Sequence, residues 1–366
     1  MSAAAERTVE VLRLHAACYP RLEPTDAVKL LYQSEFGGGH LISDRSGSLR
    51  RLREESRTAR TDVPLFEEAG GGLCRIYLGP AGAGEAAVAA VHRMFLAGAG
   101  QPRGSAAGLE EKLTVLAEMT AGGAMPFSAE RLAAYLEEYR AKGLPAVSHS
   151  DAYREAYRPA YRVTPKKYCV LFPLLKEIEA RLAGGRLVTV ALDGPCGAGK
   201  TTLAAALEEL YDCNVIPLDD FFLPPEKRTP RRLGEPGGNL DYERFAQEVV
   251  PHLGGGQPFT YRVFDCGEMA FSGTRTVELR PLTVCEGSYS LHPYFGAPYD
   301  LKVFVTCAEE ERQERLLARS GPALFERFLR EWIPMEQRYF EAFHIREGSD
   351  LVIDTTGEGT GDSSIF

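Results

Sequence analysis

Residues 194–201 read Gly-Pro-Cys-Gly-Ala-Gly-Lys-Thr. The spacing G-x-x-x-x-G-K-[ST] is met by Gly194, Gly199, Lys200 and Thr201. Glycines let the backbone close around phosphate oxygens, while successive N–H groups and a following helix N-terminus supply positive potential. Pro195 has no N–H, so the donors begin at Cys196 and continue through Gly197, Ala198, Gly199, Lys200, Thr201 and Thr202. Lys200 is expected to reach the β- and γ-phosphates of a nucleoside triphosphate, and the Thr201 hydroxyl to ligate Mg²⁺. Cys196 is read as a small filler of the loop, not a redox group.

Downstream stands Leu218-Asp219-Asp220-Phe221-Phe222. Two adjacent carboxylates at the C-terminal end of a strand lie on the ligand side of an open α/β sheet. One could take a hydroxyl proton from an acceptor while the other contacts metal or structure. Arg312, Arg315 and Arg319 share one helical face by their i, i+3, i+7 spacing. That face could clamp phosphates when a lid closes, or could be a solvated face paired with Glu309 to Glu311. The insert from Pro224 to Arg232 carries Lys227, Arg228, Arg231 and Arg232, which suits either an anionic acceptor or a solvated loop.

These residues need a frame. A continuous β-rich apolar run, Leu187 to Leu192, precedes the phosphate-binding loop, as in a buried parallel strand. Strand signals at 187–192, 213–217, 281–285, 301–305 and 350–353 are interspersed with helix signals at 200–210, 241–253, 308–319 and 323–342. The alternation predicts an α/β domain, a doubly wound, mainly parallel sheet of the P-loop NTPase type, over residues 166–366. Residues 1–165 read as a mainly helical domain, with helical spacing from Pro24, at 50–60, 85–95, 109–119 and 128–142, and one strand at 73–78. Thr25 is the expected N-cap of the helix after Pro24. The pointed segment here is Ser34 to His40, where three glycines precede a histidine. Glu35, His40 and Asp44, with His149 and Asp151, are the candidate site. Tyr153, Arg154, Tyr157, Arg158, Tyr161 and Arg162 recur at about four residues and predict a helical stripe packed on the C-terminal domain.

The chain has 366 residues, 44% hydrophobic and 25% charged, with a formal charge of -9. That is too long for one ordinary domain and too acidic for a broad nucleic-acid footprint. The eight cysteines form no CxxC pair and no cluster at zinc spacing, so they read as reduced thiols. Neither a signal peptide nor a membrane span is expected, and a cytoplasmic location follows.

With these motifs in order, the stretch from Val188 to Asp354 resembles the uridine kinase and phosphoribulokinase-type family of P-loop kinases, which includes nicotinamide riboside kinases. The resemblance implies Asp219 as catalytic base, Asp241 of Asn239-Leu240-Asp241 and Tyr261 as acceptor contacts, and Glu286 of Glu286-Gly287 as the group ordering Mg²⁺ through water. It implies Arg315 and Arg319 on a lid helix. Cys266 stands where uridine kinases carry a base-reading histidine, and Arg315-Leu316 replaces an arginine pair. A thiol cannot make the same hydrogen bonds to a base edge. The expected activity is therefore ATP- and Mg²⁺-dependent phosphorylation of a hydroxyl on a nucleoside-like or other small metabolite. A nucleotide-responsive regulator and an NTP hydrolase are the rivals. The acceptor, the oligomeric state and the task of the first half are not legible in the sequence.

Overall fold

The computed structural model describes residues 2–42, 44–100 and 103–357. The chain divides into two compact units, Met1–Phe172 and Pro173–Phe366, so the division falls after Phe172 where the sequence suggested 165.

The first unit is helical with a small antiparallel sheet. Strands β1 (Phe66–Gly70), β2 (Leu73–Tyr77) and β3 (Tyr161–Pro165) stand in the order β1-β2-β3. The predicted helices are present as Pro24–Phe36, Arg45–Thr58, Glu85–Ala99, Ala106–Ala121 and Ala129–Ala141. The cap before Pro24 is a correction: Glu23, not Thr25, is the N-cap, and it forms a reciprocal capping box with Asp26. The Tyr/Arg stripe is a second correction. Its helix ends at Tyr157, capped by Arg158 in the left-handed region, and residues from Tyr161 onward pair with β2. Pro159 lacks the N–H a helix would need. The arginines find acids inside this same unit, Arg154 with Asp151 at 3.7 Å and Arg162 with Glu55 at 2.7 Å.

The expected grouping around His40 is dispersed. Glu35 pairs with Lys112 at 2.8 Å and accepts from Ser105 N, while Asp44 caps the helix at Arg45 through Gly47 N. His40 meets the Tyr32 ring edge-on at 5.4 Å. His149 instead bonds buried Asp26 at 2.8 Å, beside Ser150, whose hydroxyl donates to Asp26 at 2.7 Å and accepts from Tyr153 N. Removing that hydroxyl deletes a cap and a buried carboxylate partner together. Ser150→Ala is expected to cost about 1–2 kcal/mol, read from the urea midpoint.

The second unit is built on a five-stranded parallel sheet. Its strands are β4 (Val188–Asp193), β5 (Cys213–Pro217), β8 (Leu282–Glu286), β9 (Leu301–Thr306) and β10 (Leu351–Asp354), in the order β10-β9-β4-β8-β5. All four pairings are parallel. Every residue of β4 is buried, as its unbroken apolar run predicts. The register sets Leu192 of β4 opposite Glu286 of β8, and Glu286 opposite Pro217 of β5. The C-terminal ends of β4, β5 and β8 therefore finish level, and the loops that follow them share one edge.

A separate hairpin, β6 (Phe259–Asp265) with β7 (Ala270–Val277), was not foreseen. The helical stretch after β9 is also more broken than predicted. It runs Glu309–Arg327 with Gly321 out of helical conformation before Pro322, then a π-wound turn at Phe328–Trp332, then Ile333–Phe343.

Candidate active site

The loop between β4 and the helix Lys200–Leu210 has the shape its glycines require. Gly194 has φ +140°, and a Cβ there would fall 2.0 Å from the Val305 carbonyl of β9. Gly197 has φ +79°, and its Cβ would press on Leu316 and Arg312 at 2.9 and 3.1 Å. Only glycine serves at either position. Lys200 folds back over the loop, its Nζ donating to the carbonyls of Gly194 at 2.8 Å and Pro195 at 2.9 Å and to Ser288 Oγ at 3.3 Å. Gly199, Lys200, Thr201 and Thr202 form the turn and first residues of the helix, while Cys196 and Ala198 complete the loop. Burial and nearby Glu336 push the Cys196 thiol up, which makes it a poor nucleophile.

Thr201 and Glu286 meet across β4 and β8. Thr201 Oγ1 lies 3.3 Å from each carboxylate oxygen of Glu286. Burial raises the Glu286 carboxyl above its usual range, opposed by Lys200. These are hard oxygen donors, the set Mg²⁺ takes when phosphates and waters complete its shell. Among the described residues no group of three or more His, Cys, Asp or Glu side chains could hold a metal by itself, so a cation here would need phosphate oxygens as ligands.

Asp219 and Asp220 follow β5 and divide their work. Asp219 is solvent-exposed, yet enough protein surrounds it that desolvation pushes its carboxyl up, while Lys200 and Arg319 oppose the rise. Asp220 is 8% exposed, accepts from Tyr261 OH at 2.8 Å and pairs with Arg275 at 3.3 Å. Of the two acids, Asp219 is the one open to a ligand.

Tyr261 and Asp241 are engaged within the protein. Tyr261 is 1% exposed and spends its hydroxyl on Asp220. Asp241 is equally buried, caps the helix Tyr242–Glu248 and accepts Lys227 Nζ at 3.0 and 3.1 Å. Residues 221–223 pair with 239–241 through Asp241 N to Phe221 O and Leu223 N to Asn239 O, so the two acidic motifs are fastened together. The basic insert is largely committed as well. Lys227 serves Asp241, Arg228 donates to Leu223 O, and Arg232 forms a fork on Glu243 at 2.6 Å while stacking on Tyr242. Arg231 remains exposed.

The arginines after β9 also differ in role. Arg312 is buried and pairs with Glu309. Arg315 donates to Thr355 Oγ1 at 3.0 Å, to Thr355 O at 2.8 Å and to Glu311 at 2.6 Å, and Thr355 Oγ1 lies 2.9 Å from Ala198 O. Arg315 thus braces the loop through Thr355. Arg319 is exposed, its charge felt at Asp219.

Four residues of the site escaped sequence reasoning. Asp193 is fully buried beneath the loop, accepting from Gly194 N, Tyr289 N, Leu291 N and Tyr339 OH. Ser288 and Glu336 stand at the Lys200 end of the loop. Tyr339 lies one turn beyond Glu336. Asp193 could have been noticed as a carboxylate at a strand end against the glycine loop; the others carry no local signal.

No family model and no curated protein matches the chain. Among solved structures it is similar to one described as a possible uridine kinase from Bacillus stearothermophilus, at 21% identity over 50% of this chain and 100% of that one, with a TM-score of 0.37. It is similar to a candidate fructose transport system kinase from Silicibacter sp. TM1040, at 23% identity over 46% of this chain and 89% of that one, with a TM-score of 0.37. A D-glycerate 3-kinase from Cryptococcus neoformans var. grubii is similar at 13% identity over 44% of this chain and 84% of that one, with a TM-score of 0.34.

Proposed function

We propose that the second unit is an ATP- and Mg²⁺-dependent kinase that phosphorylates a hydroxyl group of a small metabolite, nucleoside-like or otherwise. One observation carries this reading: the glycine loop with Lys200, the Thr201–Glu286 pair and the open carboxylate of Asp219 all stand at the same edge of one parallel sheet. ATP supplies the phosphoryl group, and Mg²⁺ supplies neutralisation of its charge. The loop amides and Lys200 hold the triphosphate, Thr201 and Glu286 hold the cation, and Asp219 receives the proton of the acceptor hydroxyl. Arg319 is proposed to face the transferred phosphate, with Arg315 holding the loop in shape. Asp241 and Tyr261 support the acceptor side by fixing Asp220 and the segment around it.

An ADP-release screen over nucleosides, sugars, vitamins and their phosphates, with Mg²⁺, tests the proposal. The expected result is turnover on at least one acceptor, well above the acceptor-free rate. A second reading, nucleotide binding that serves regulation, is favoured by the internal engagement of Tyr261 and Asp241. It predicts ATP binding with no acceptor-dependent ADP release.

A further inference from the structure

One carboxylate in the donor region has no place in the scheme above. Glu336, on the helix Ile333–Phe343, is 5% exposed. Its two oxygens lie 3.1 and 3.0 Å from Cys196 N, which donates to them. Ser288 Oγ lies 2.6 Å from one of those oxygens, and accepts in turn from Lys200 Nζ. One turn further along the helix, Tyr339 donates to Asp193 at 2.8 Å. The same helix therefore grips the loop at both Asp193 and Cys196.

An amide of a phosphate-binding loop that points at a carboxylate is already satisfied by an anion. A phosphate oxygen and Glu336 cannot both take the Cys196 N–H. Two like charges a few ångströms apart also repel strongly in a partly dry site. The location along the loop matters. Lys200 Nζ rests on the carbonyls of Gly194 and Pro195, the two residues before Cys196, and the lysine of such a loop serves the β- and γ-phosphates. Glu336 thus stands at the terminal-phosphate end. The connection to the preceding helix contains the two features that let helices re-aim. One is Gly321 (φ 72°, ψ 169°) before Pro322, and the other is the π-wound turn at Phe328–Trp332.

We propose that Glu336 determines which donor phosphates enter: its carboxylate competes with a terminal phosphate for the Cys196 amide, so a nucleoside triphosphate is admitted only as the helix Ile333–Phe343 withdraws, while a diphosphate is admitted with little hindrance. This rests on the reading of the loop as a nucleotide site. Withdrawal of that helix also loosens Tyr339 from Asp193, which couples the terminal phosphate to the lid. Glu336 acts here as a specificity residue that sets affinity, not as a group that reacts.

The chain's one tryptophan offers a direct readout. Trp332 immediately precedes the helix, edge-on to Phe328 at 4.6 Å and beneath the Arg327 guanidinium at 4.9 Å. With Mg²⁺, a non-hydrolysable ATP analogue is expected to change Trp332 emission in the wild-type full chain, and ADP to change it much less. Calorimetry on Glu336→Gln should show the analogue binding about tenfold tighter or more, with ADP affinity changed less than about threefold. Equal or weaker binding of the analogue to a folded Glu336→Gln, or analogue binding to wild type that leaves Trp332 emission unchanged, overturns the proposal. The wild-type emission measurement needs no variant and decides the matter even where the substitution impairs folding. Failure of wild type to bind either nucleotide sinks the nucleotide reading itself, a different result from binding that Glu336 does not influence.

Discussion

Asp219→Asn is expected to lower kcat for phosphoryl transfer by at least about 10² while leaving nucleotide affinity near wild type, because a positioned general base contributes roughly 10²–10⁴. The amide keeps the size of the side chain but cannot take the acceptor's proton. Lys200→Ala is expected to lose turnover altogether and to weaken nucleotide binding, since its Nζ sits over the loop itself. The contrast separates a base from a phosphate ligand, and titration calorimetry beside steady-state kinetics reads both. A pH profile adds a sharper criterion. Burial raises the Asp219 carboxyl above the usual carboxylate range, with Lys200 and Arg319 opposing. The base must be ionised to work, so wild-type kcat/KM falls as pH drops through that raised value. Asp219→Asn should abolish this acid limb from its residual rate. Full activity in the Asn variant would remove Asp219 from the mechanism.

The donor half of the site was legible because its chemistry is written in contiguous residues. A loop that must wrap phosphate imposes glycine at particular backbone angles, and Gly194 to Thr201 carry that demand in eight positions. The parallel sheet was legible for a related reason: strands buried on both faces read as unbroken apolar runs. What stayed hidden is carried by side chains distant in sequence. Glu336 reaches Cys196 from 140 residues away, and Thr355 reaches Ala198 from 157. Nothing local marks either residue. The hairpin β6–β7 was hidden differently. Strand β7 is exposed at every residue but Val277, so it has no buried face to impose alternation. The basic insert misled by its charge. Lys227 and Arg232 look like an anion site in sequence but neutralise Asp241 and Glu243 in the fold. In the first unit, Tyr161 and Arg162 kept the spacing of a helix after Pro159 had ended it. Their side chains fit a strand beside β2, where Tyr161 meets Gln33 and Arg162 meets Glu55.

Asp193→Asn is expected to destabilise the second unit by about 2–5 kcal/mol and to abolish nucleotide binding, although the residue touches no ligand. Four donors converge on this carboxylate: Gly194 N at 2.7 Å, Tyr289 N at 3.0 Å, Leu291 N at 2.9 Å and Tyr339 OH at 2.8 Å. Both oxygens are needed as acceptors. An amide offers one oxygen and turns an NH₂ toward the remaining donors, leaving buried N–H or O–H groups unpaired at about 1–3 kcal/mol each. The released groups begin the phosphate loop, follow β8 and anchor the helix that carries Glu336, so the loop should lose its shape as well as its support. For a domain of this size the loss corresponds to a fall in Tm of roughly 5–15 °C. The pH dependence identifies the group. Burial raises the Asp193 carboxyl to about 6, despite its four hydrogen bonds and Lys200. The folded chain then holds a proton that the unfolded chain, near 3.8, does not, so this residue makes wild type more stable as pH falls from about 6 toward 3.8. The Asn variant has no such proton. The gap in unfolding free energy between wild type and variant should therefore widen on acidification through that window. Equal pH slopes for the two proteins, or a variant that binds ATP normally, would show that the loop does not depend on the carboxylate beneath it.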